Sequence, residues 1–152
     1  MVFYLIYTST PRGPITPHTL EEITLTSMSN NKAKGITGML LGIENKYLQY
    51  LEGGEKEVTL LMENIKKDPR HQMVTVWIQG FTEERVFSDW SMGSWMMSNE
   101  ELGKLSALDD LKNFLRDPMN NEHQSKKFIA MMNGLLKTWI AHEPERVKKL
   151  KN

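Results

Sequence analysis

Tyr7, Ser9, Asn31 and Gln49 are the residues of this chain whose types, taken together, can do chemistry beyond packing. A phenol gives up a proton and, to a strong oxidant, an electron; a hydroxyl and two primary amides relay hydrogen bonds because each holds donors and acceptors at once. Gln49 is the most informative of the four. It lies in Lys46-Tyr-Leu-Gln-Tyr-Leu-Glu-Gly-Gly54, a strand pattern running into a glycine turn, and alternation sets it between Tyr47 and Leu51 on one face. A buried amide without partners costs roughly 2 kcal/mol or more, so that face must supply hydrogen bonds. On these residues alone the simplest partner is Tyr7, as a satisfied pair within an ordinary core.

Other chemistries are poorly provided for. The chain has no cysteine, which removes disulfides, thiolate metal sites, CxxC redox chemistry and any covalent bond to a cysteine sulfur. His18, His71, His123 and His142 are scattered, with no pair at metal-ligand spacing on one helix. Glu21-Glu22, Glu83-Glu84 and Glu100-Glu101 are sequence neighbours whose side chains diverge, as on solvated faces. Gly53-Gly54 is a turn without a phosphate-cradling pattern around it. The 19 basic residues balance 19 acidic ones, so charge predicts neither a nucleic-acid nor an anionic membrane partner. With 39% hydrophobic residues, no signal peptide and no apolar run long enough to span a bilayer, the 152 residues predict one cytoplasmic domain with appendages.

The elements that must position those side chains follow from periodicity. Val2 to Ser9 is β-branched and aromatic and is stopped by Pro11-Arg-Gly-Pro14; its alternation puts Phe3, Leu5, Tyr7 and Ser9 on one face. Thr16 before Pro17 is an N-cap with proline at the first helical position, and the helix is expected to end near Asn30-Asn31. Gly35 to Ile43 and Lys46 to Glu52 flank a short polar link and form a hairpin. Val58, Leu61, Met62 and Ile65 mark one side of a second helix, ended by Pro69. Met73 to Gln79 reads as a fourth strand and Arg85 to Met92 as a fifth. The order βαββαββ is an α+β, ferredoxin-like arrangement in which two helices cover one face of an antiparallel sheet. Beyond it, Leu102, Leu105 and Leu108 form a weak helical stripe and Phe128, Met131, Met132, Leu135, Leu136, Trp139 and Ile140 a strong one. These C-terminal helices are expected to cover the bare face, with dimerisation as an additional role.

Five segments in order, YLIYTS, NNKAKGITGMLL, YLQYLEG, KKDPRH and ERVFSDWSM, closely resemble the BLUF family of blue-light sensors, over about residues 1 to 95. The resemblance implies a noncovalent flavin held between the two helices, FAD in most members, with FMN not distinguished by these motifs. It implies that Tyr7 gives an electron and a proton to the excited flavin and that Gln49 is the amide that rotates or tautomerises in response. Asn31 is implied to bond the polar edge of the ring, Ser9 to support the network around Tyr7, and Arg70 with His71 to lie near the flavin's side chain. Trp90 and Met92 match the segment implied to pass the signal outward; which of the two approaches the flavin is left open. Ile23, Leu40 and Ile65 are candidate apolar walls of the cleft, and Asn30 stands between flavin contact and helix cap.

The resulting expectation is a photosensor domain over 1–96 with a helical extension over 97–152, without enzymatic turnover. It would signal to a separate downstream protein and form a homo-oligomer. Two other classes compete: a small flavin-dependent oxidoreductase, for which no nicotinamide or substrate motif is seen, and a cofactor-free interaction module, against which intact Tyr7 and Gln49 speak.

Overall fold

The computed structural model describes residues 1–43, 45–88, 91–97 and 130. They form β1 (Val2–Pro11), α1 (Pro17–Lys34), β2 (Thr37–Ile43), β3 (Lys46–Gly53), α2 (Glu55–Lys67), β4 (His71–Thr82) and β5 (Gly93–Met97). The strands make one sheet in the order β4-β1-β3-β2-β5. This is the α+β, ferredoxin-like architecture expected from the element order.

Local signals account for most boundaries. The Thr16 side chain accepts from the Thr19 amide at 3.1 Å while the Thr19 hydroxyl accepts from the Thr16 amide at 3.0 Å, so α1 starts with a reciprocal cap. At its other end α1 runs past Asn30-Asn31 to Lys34, one turn further than expected. Gly35 there adopts φ 66°, the left-handed cap that a residue with a Cβ resists, and Lys32 and Lys34 suit the negative end of the helix. Asn31 is therefore a residue of the last turn, facing the sheet, instead of the helix terminus. Helix α2 ends before Pro69 as expected, with the Asp68 amide returning to the Ile65 carbonyl.

Two expectations about the sheet are corrected. Residues 85–88 are loop, and the fifth strand is Gly93–Met97. The amides of Val86 and Phe87 have no need of a ladder, because both donate to the Glu52 carboxylate, at 2.9 and 2.7 Å. The sheet is also mixed: β1 pairs antiparallel with β3 and β4, β2 antiparallel with β3, but β5 runs parallel to β2, with Met39 beside Gly93 and Ile43 beside Met97.

Helix α1 lies against β2 and β5, and α2 against β1, β3 and β4, so the two meet the same face over different strands. Phe3, Leu5, Leu20, Ile36, Leu40, Leu51, Val58 and Met62 fill the core on this face; burying each such side chain stabilises by about 1.5–3 kcal/mol. The helices do not seal the middle. Beyond Leu20, the buried residues of α1 are Thr24 and Asn31, too polar to close a dry seam. Among the described residues no helix is long and apolar enough to cross a membrane. Trp90 and, apart from residues 97 and 130, the 97–152 extension with its expected C-terminal helices lie outside the described residues.

Candidate functional site

Between α1 and α2 is a cavity of about 190 Å³, lined from α1 by Ile23, Ser27, Asn30 and Asn31 and from α2 by Asn64 and Ile65; its remaining lining includes Tyr7, Gln49, Arg70 and His71. The floor is set by strand register. Tyr7 on β1 stands directly opposite Gln49 on β3, so alternation turns both side chains to the helix-covered face. Both are buried. The Tyr7 hydroxyl donates to Gln49 Oε1, the contact expected of a core pair.

The pair does not end there. Gln49 Nε2 donates to the sulfur of Met92 at 3.2 Å, and Met92 is fully buried at the entry to β5. A thioether is a weak acceptor, and the second hydrogen of that nitrogen has no protein partner among the described residues. Of the Trp-Ser-Met segment, Ser91 and Met92 are among the described residues, and of these Met92 reaches Gln49. Asn31 is in a similar position: 1% exposed, it donates to the Ser91 carbonyl over a long 3.4 Å, and its Oδ1 has no protein partner among the described residues. Two buried amides therefore face the cavity with hydrogen-bonding capacity that the described residues leave unused. Each unmet group costs about 1–3 kcal/mol, which a planar ligand with polar edges would recover.

The rim carries the charged groups. Ser9 does not line the cavity; its hydroxyl pairs with His71 Nδ1 at 2.8 Å, orienting the ring that does. Burial pushes the His71 pKa down, the Arg70 charge adds to this and Asp68 opposes it, so the imidazole is neutral at neutral pH. Arg70 is held by Asp68, with Nη2 2.6 Å from Oδ2 and Nε 3.1 Å from Oδ1, and this pairing keeps the Asp68 carboxyl below its usual range. Burial raises the Tyr7 pKa, with the nearby Asp68 and Tyr47 contributing, so Tyr7 is a neutral phenol at working pH.

Of the residues singled out from sequence, Tyr7, Asn30, Asn31, Gln49, Ile65, Arg70, His71 and Ile23 converge on this cavity, while Leu40 belongs to the core beneath it. Sequence reasoning missed Thr26, Ser27, Lys34, Leu61, Asn64 and Asp68 in the lining. Helical spacing offered a usable signal: positions 23, 27, 30, 31 and 34 fall along one side of α1, so Ile23 and Asn31 together point to Ser27 and Lys34.

The sequence profile described as BLUF, sensors of blue-light using FAD, matches residues 2–93. The chain belongs to the BLUF family. Photoactivated adenylate cyclase subunit beta of Euglena gracilis is 33% identical over 108 residues, which is 70% of this chain and 12% of that protein, so the chain spans only a small part of that relative. The dark-state structure of the BLUF protein BlrB superposes with a TM-score of 0.69 at 25% identity, covering 88% of this chain and 96% of that one. Klebsiella pneumoniae BlrP1, solved with FMN and cyclic diGMP, gives a TM-score of 0.60 at 28% identity, covering 93% of this chain and 35% of that one. Membership places the chain in a family described as sensing blue light with a flavin.

The cavity suits the ring system of such a cofactor. Its volume of about 190 Å³ is below the roughly 300–1,000 Å³ of sites that enclose a whole drug-sized ligand. The buried amides of Gln49 and Asn31 present donors and acceptors to the cavity, and Ile23 and Ile65 give it apolar walls.

Proposed function

We propose that this chain is a photoswitch in which Tyr7 and Gln49 are the photoactive residues, and that it holds FAD noncovalently in the α1/α2 cleft. FMN would meet the same ring contacts. Asn31, Asn30 and Ile65 contact the ring, and Arg70 and His71 stand where the side chain of the cofactor leaves the cleft, with Ser9 fixing the His71 ring. The bound flavin supplies a blue-absorbing ring that becomes strongly oxidising when excited.

The rest is the work of the protein. Tyr7 would give an electron to the excited ring, and because loss of that electron makes its phenol strongly acidic, its proton would follow to the ring by way of the existing hydrogen bond to Gln49 Oε1. Once the phenol has given up its proton it no longer donates to Gln49 Oε1, so Gln49 rotates or tautomerises and its nitrogen end leaves Met92. Electron and proton then return to Tyr7, leaving no net oxidation. What persists is the second hydrogen-bond pattern of Gln49, which turns a donor toward the ring and displaces its visible band to the red. A single amide serves because it carries both donor and acceptor groups, and in an apolar cleft each exchange of partner has a large energetic consequence.

Met92 and Trp90 form the outward path. Residues 1–96 are the sensor and 97–152 the element coupling it to a separate signalling protein or to a second copy of the chain, with no turnover at the flavin. The observation that carries this reading is the chain Tyr7, Gln49, Met92, in which Gln49, like Asn31 across the cavity, is incompletely bonded among the described residues. The test is the visible spectrum of the purified protein in darkness, after blue illumination and during return to darkness. A flavin band that shifts red and recovers is expected. A band that only bleaches would favour a redox enzyme, and a protein that stays colourless after incubation with FAD would favour a cofactor-free interaction module.

A further inference from the structure

Strand β4 does not pair evenly with β1. Thr8 stands opposite Thr75 and Thr10 opposite Gln72, so Ser9 alone faces two residues, Met73 and Val74. This is a β-bulge on an edge strand, where an extra residue disturbs no second ladder among the described residues. Met73 takes φ 51°, and among the described residues it is the one residue other than glycine with a positive φ. A side chain with a Cβ resists this left-handed backbone, which in bulges of this kind is ordinarily given to glycine. The Met73 side chain is 81% exposed, so no burial offsets the strain. The Thr75 hydroxyl donates to the Met73 carbonyl at 3.3 Å, a local support for the bulge.

The bulge decides which way the residues before it face. Val76, opposite Tyr7, and Val74 pack against the helix-side core. Counting back from them by strict alternation, position 72 would face the cavity and position 71 the other side of the sheet. With one residue absorbed, the faces exchange: Gln72 pairs with Thr10 and is exposed, while His71 pairs with Pro11 on the face of Ser9 and Tyr7. The imidazole is thereby buried at the cavity, with Nδ1 2.8 Å from the Ser9 hydroxyl and its ring edge-on to Tyr47 at 5.6 Å. Strained backbone persists where the surroundings over-determine it, and here the surroundings that gain are those of His71.

We propose that Met73 is a positioning residue for the cavity: its left-handed backbone absorbs one residue of β4 and so turns His71, in place of Gln72, toward the flavin site. The consequence for the flavin rests on the function proposed above; the facing of His71 does not. Because the backbone and not the side chain carries this role, three changes at position 73 have different consequences. Glycine accepts the left-handed conformation. Proline, with φ fixed at about −65°, forbids it and drives β4 toward the even register, in which Gln72 stands opposite Pro11 and His71 turns away. Deletion of Met73 also makes the register even, but with Val74 against Ser9 and Gln72 against Thr10, so His71 still meets Pro11 and still faces the cavity.

The experiment uses the full flavin-loaded chain with ring-labelled ¹³C-histidine, in darkness. The parent is expected to show a nuclear Overhauser effect between the His71 and Tyr47 rings, and Met73→Gly and the chain lacking Met73 are expected to keep it. Met73→Pro is expected to lose it, to bring the His71 titration up to the ordinary 6.5 from below, and to weaken FAD binding at least about threefold. Met73→Val, whose β-branch strongly disfavours positive φ, is expected to show the same in part, as two His71 resonances, and serves if Met73→Pro fails to fold. A folded Met73→Pro or Met73→Val protein that keeps the ring contact and the parent titration overturns the proposal, as does a deletion that turns His71 away. Unchanged FAD binding in a variant that has lost the contact overturns its consequence for the flavin. Should the parent protein bind no flavin, the photoswitch reading fails, and the ring contact still decides what sets the facing of His71.

Discussion

Gln49 and Glu52 lie three residues apart on β3, one on each face of the sheet, and both are buried. Gln49 has two donors and two acceptor sites and uses them on one strong partner, Tyr7, and one weak one, the Met92 sulfur. Glu52 has acceptors alone and satisfies them with two backbone amides and two hydroxyls. A neutral amide with capacity to spare has more than one hydrogen-bond pattern of similar energy; a saturated carboxylate has one. On the function proposed above, a short strand carries a movable group and a fixed one without conflict, since alternation puts them on opposite faces and β3 itself keeps the distance between them constant.

The largest effects come from removing the movable side. Gln49→Ala is expected to keep flavin bound and to lose the reversible red shift completely, read as the light-minus-dark absorption difference. Tyr7→Phe removes the proton and is expected to give the same loss, with little cost in stability because the ring still packs in place. A Gln49→Ala protein with a full, reversible shift would mean that the movable group lies elsewhere.

Breaking the fixed side should show in stability instead. Glu52→Ala strands the Val86 and Phe87 amides in the interior, and at about 1–3 kcal/mol for each unmet group it is expected to destabilise by about 3 kcal/mol, measured as a lowered urea midpoint with unchanged slope. Met92→Leu sharpens the contrast from the middle. It conserves volume, so its cost is expected below about 1.5 kcal/mol, while Gln49 loses its acceptor and the rate of dark return changes several-fold. A large stability loss without a change in that rate would make Met92 a packing residue only.

This contrast also marks what the sequence discloses. Alternation in β1 and β3 placed Tyr7 and Gln49 on a common face, and Thr16-Pro17 and Pro69 marked the start of α1 and the end of α2, because each of these signals is written within a few residues. The fifth strand was misplaced because Val86 and Phe87 have strand-like side chains, while what holds their amides out of the sheet is Glu52, more than thirty residues earlier. The parallel pairing of β5 with β2 is likewise a tertiary choice with no local mark. Ser27 and Asn64 escaped notice for a related reason: polar residues on a helix read as solvent-facing until the neighbouring helix is known to leave a cavity beside them.

His71 offers the mildest test, at the edge of the movable site. Burial holds its pKa below the ordinary 6.5, with Arg70 acting in the same direction. The folded chain therefore takes up this proton less readily than the unfolded chain, and between the two pKa values the unfolded state carries more bound protons. Stability then rises with pH in that window: it is full above about 6.5, declines as pH falls from there, and levels off below the folded value. The imidazolium can still donate from Nδ1 to the Ser9 hydroxyl, so it is the new charge beside the cavity that should slightly shift the dark flavin band in the same window. Urea midpoints across this range are expected to fall in the parent and stay flat in His71→Gln. The Asp68 carboxyl, lowered by Arg70, loses its contribution only as pH falls through and below the ordinary carboxylate value of 3.8; Asp68→Asn should remove that lower slope and, because Asp68 raises the His71 pKa, extend the His71 window to lower pH. A decline near pH 6 that persists in His71→Gln would assign the proton to another group and leave the rim of the cavity uncoupled from the movable amide.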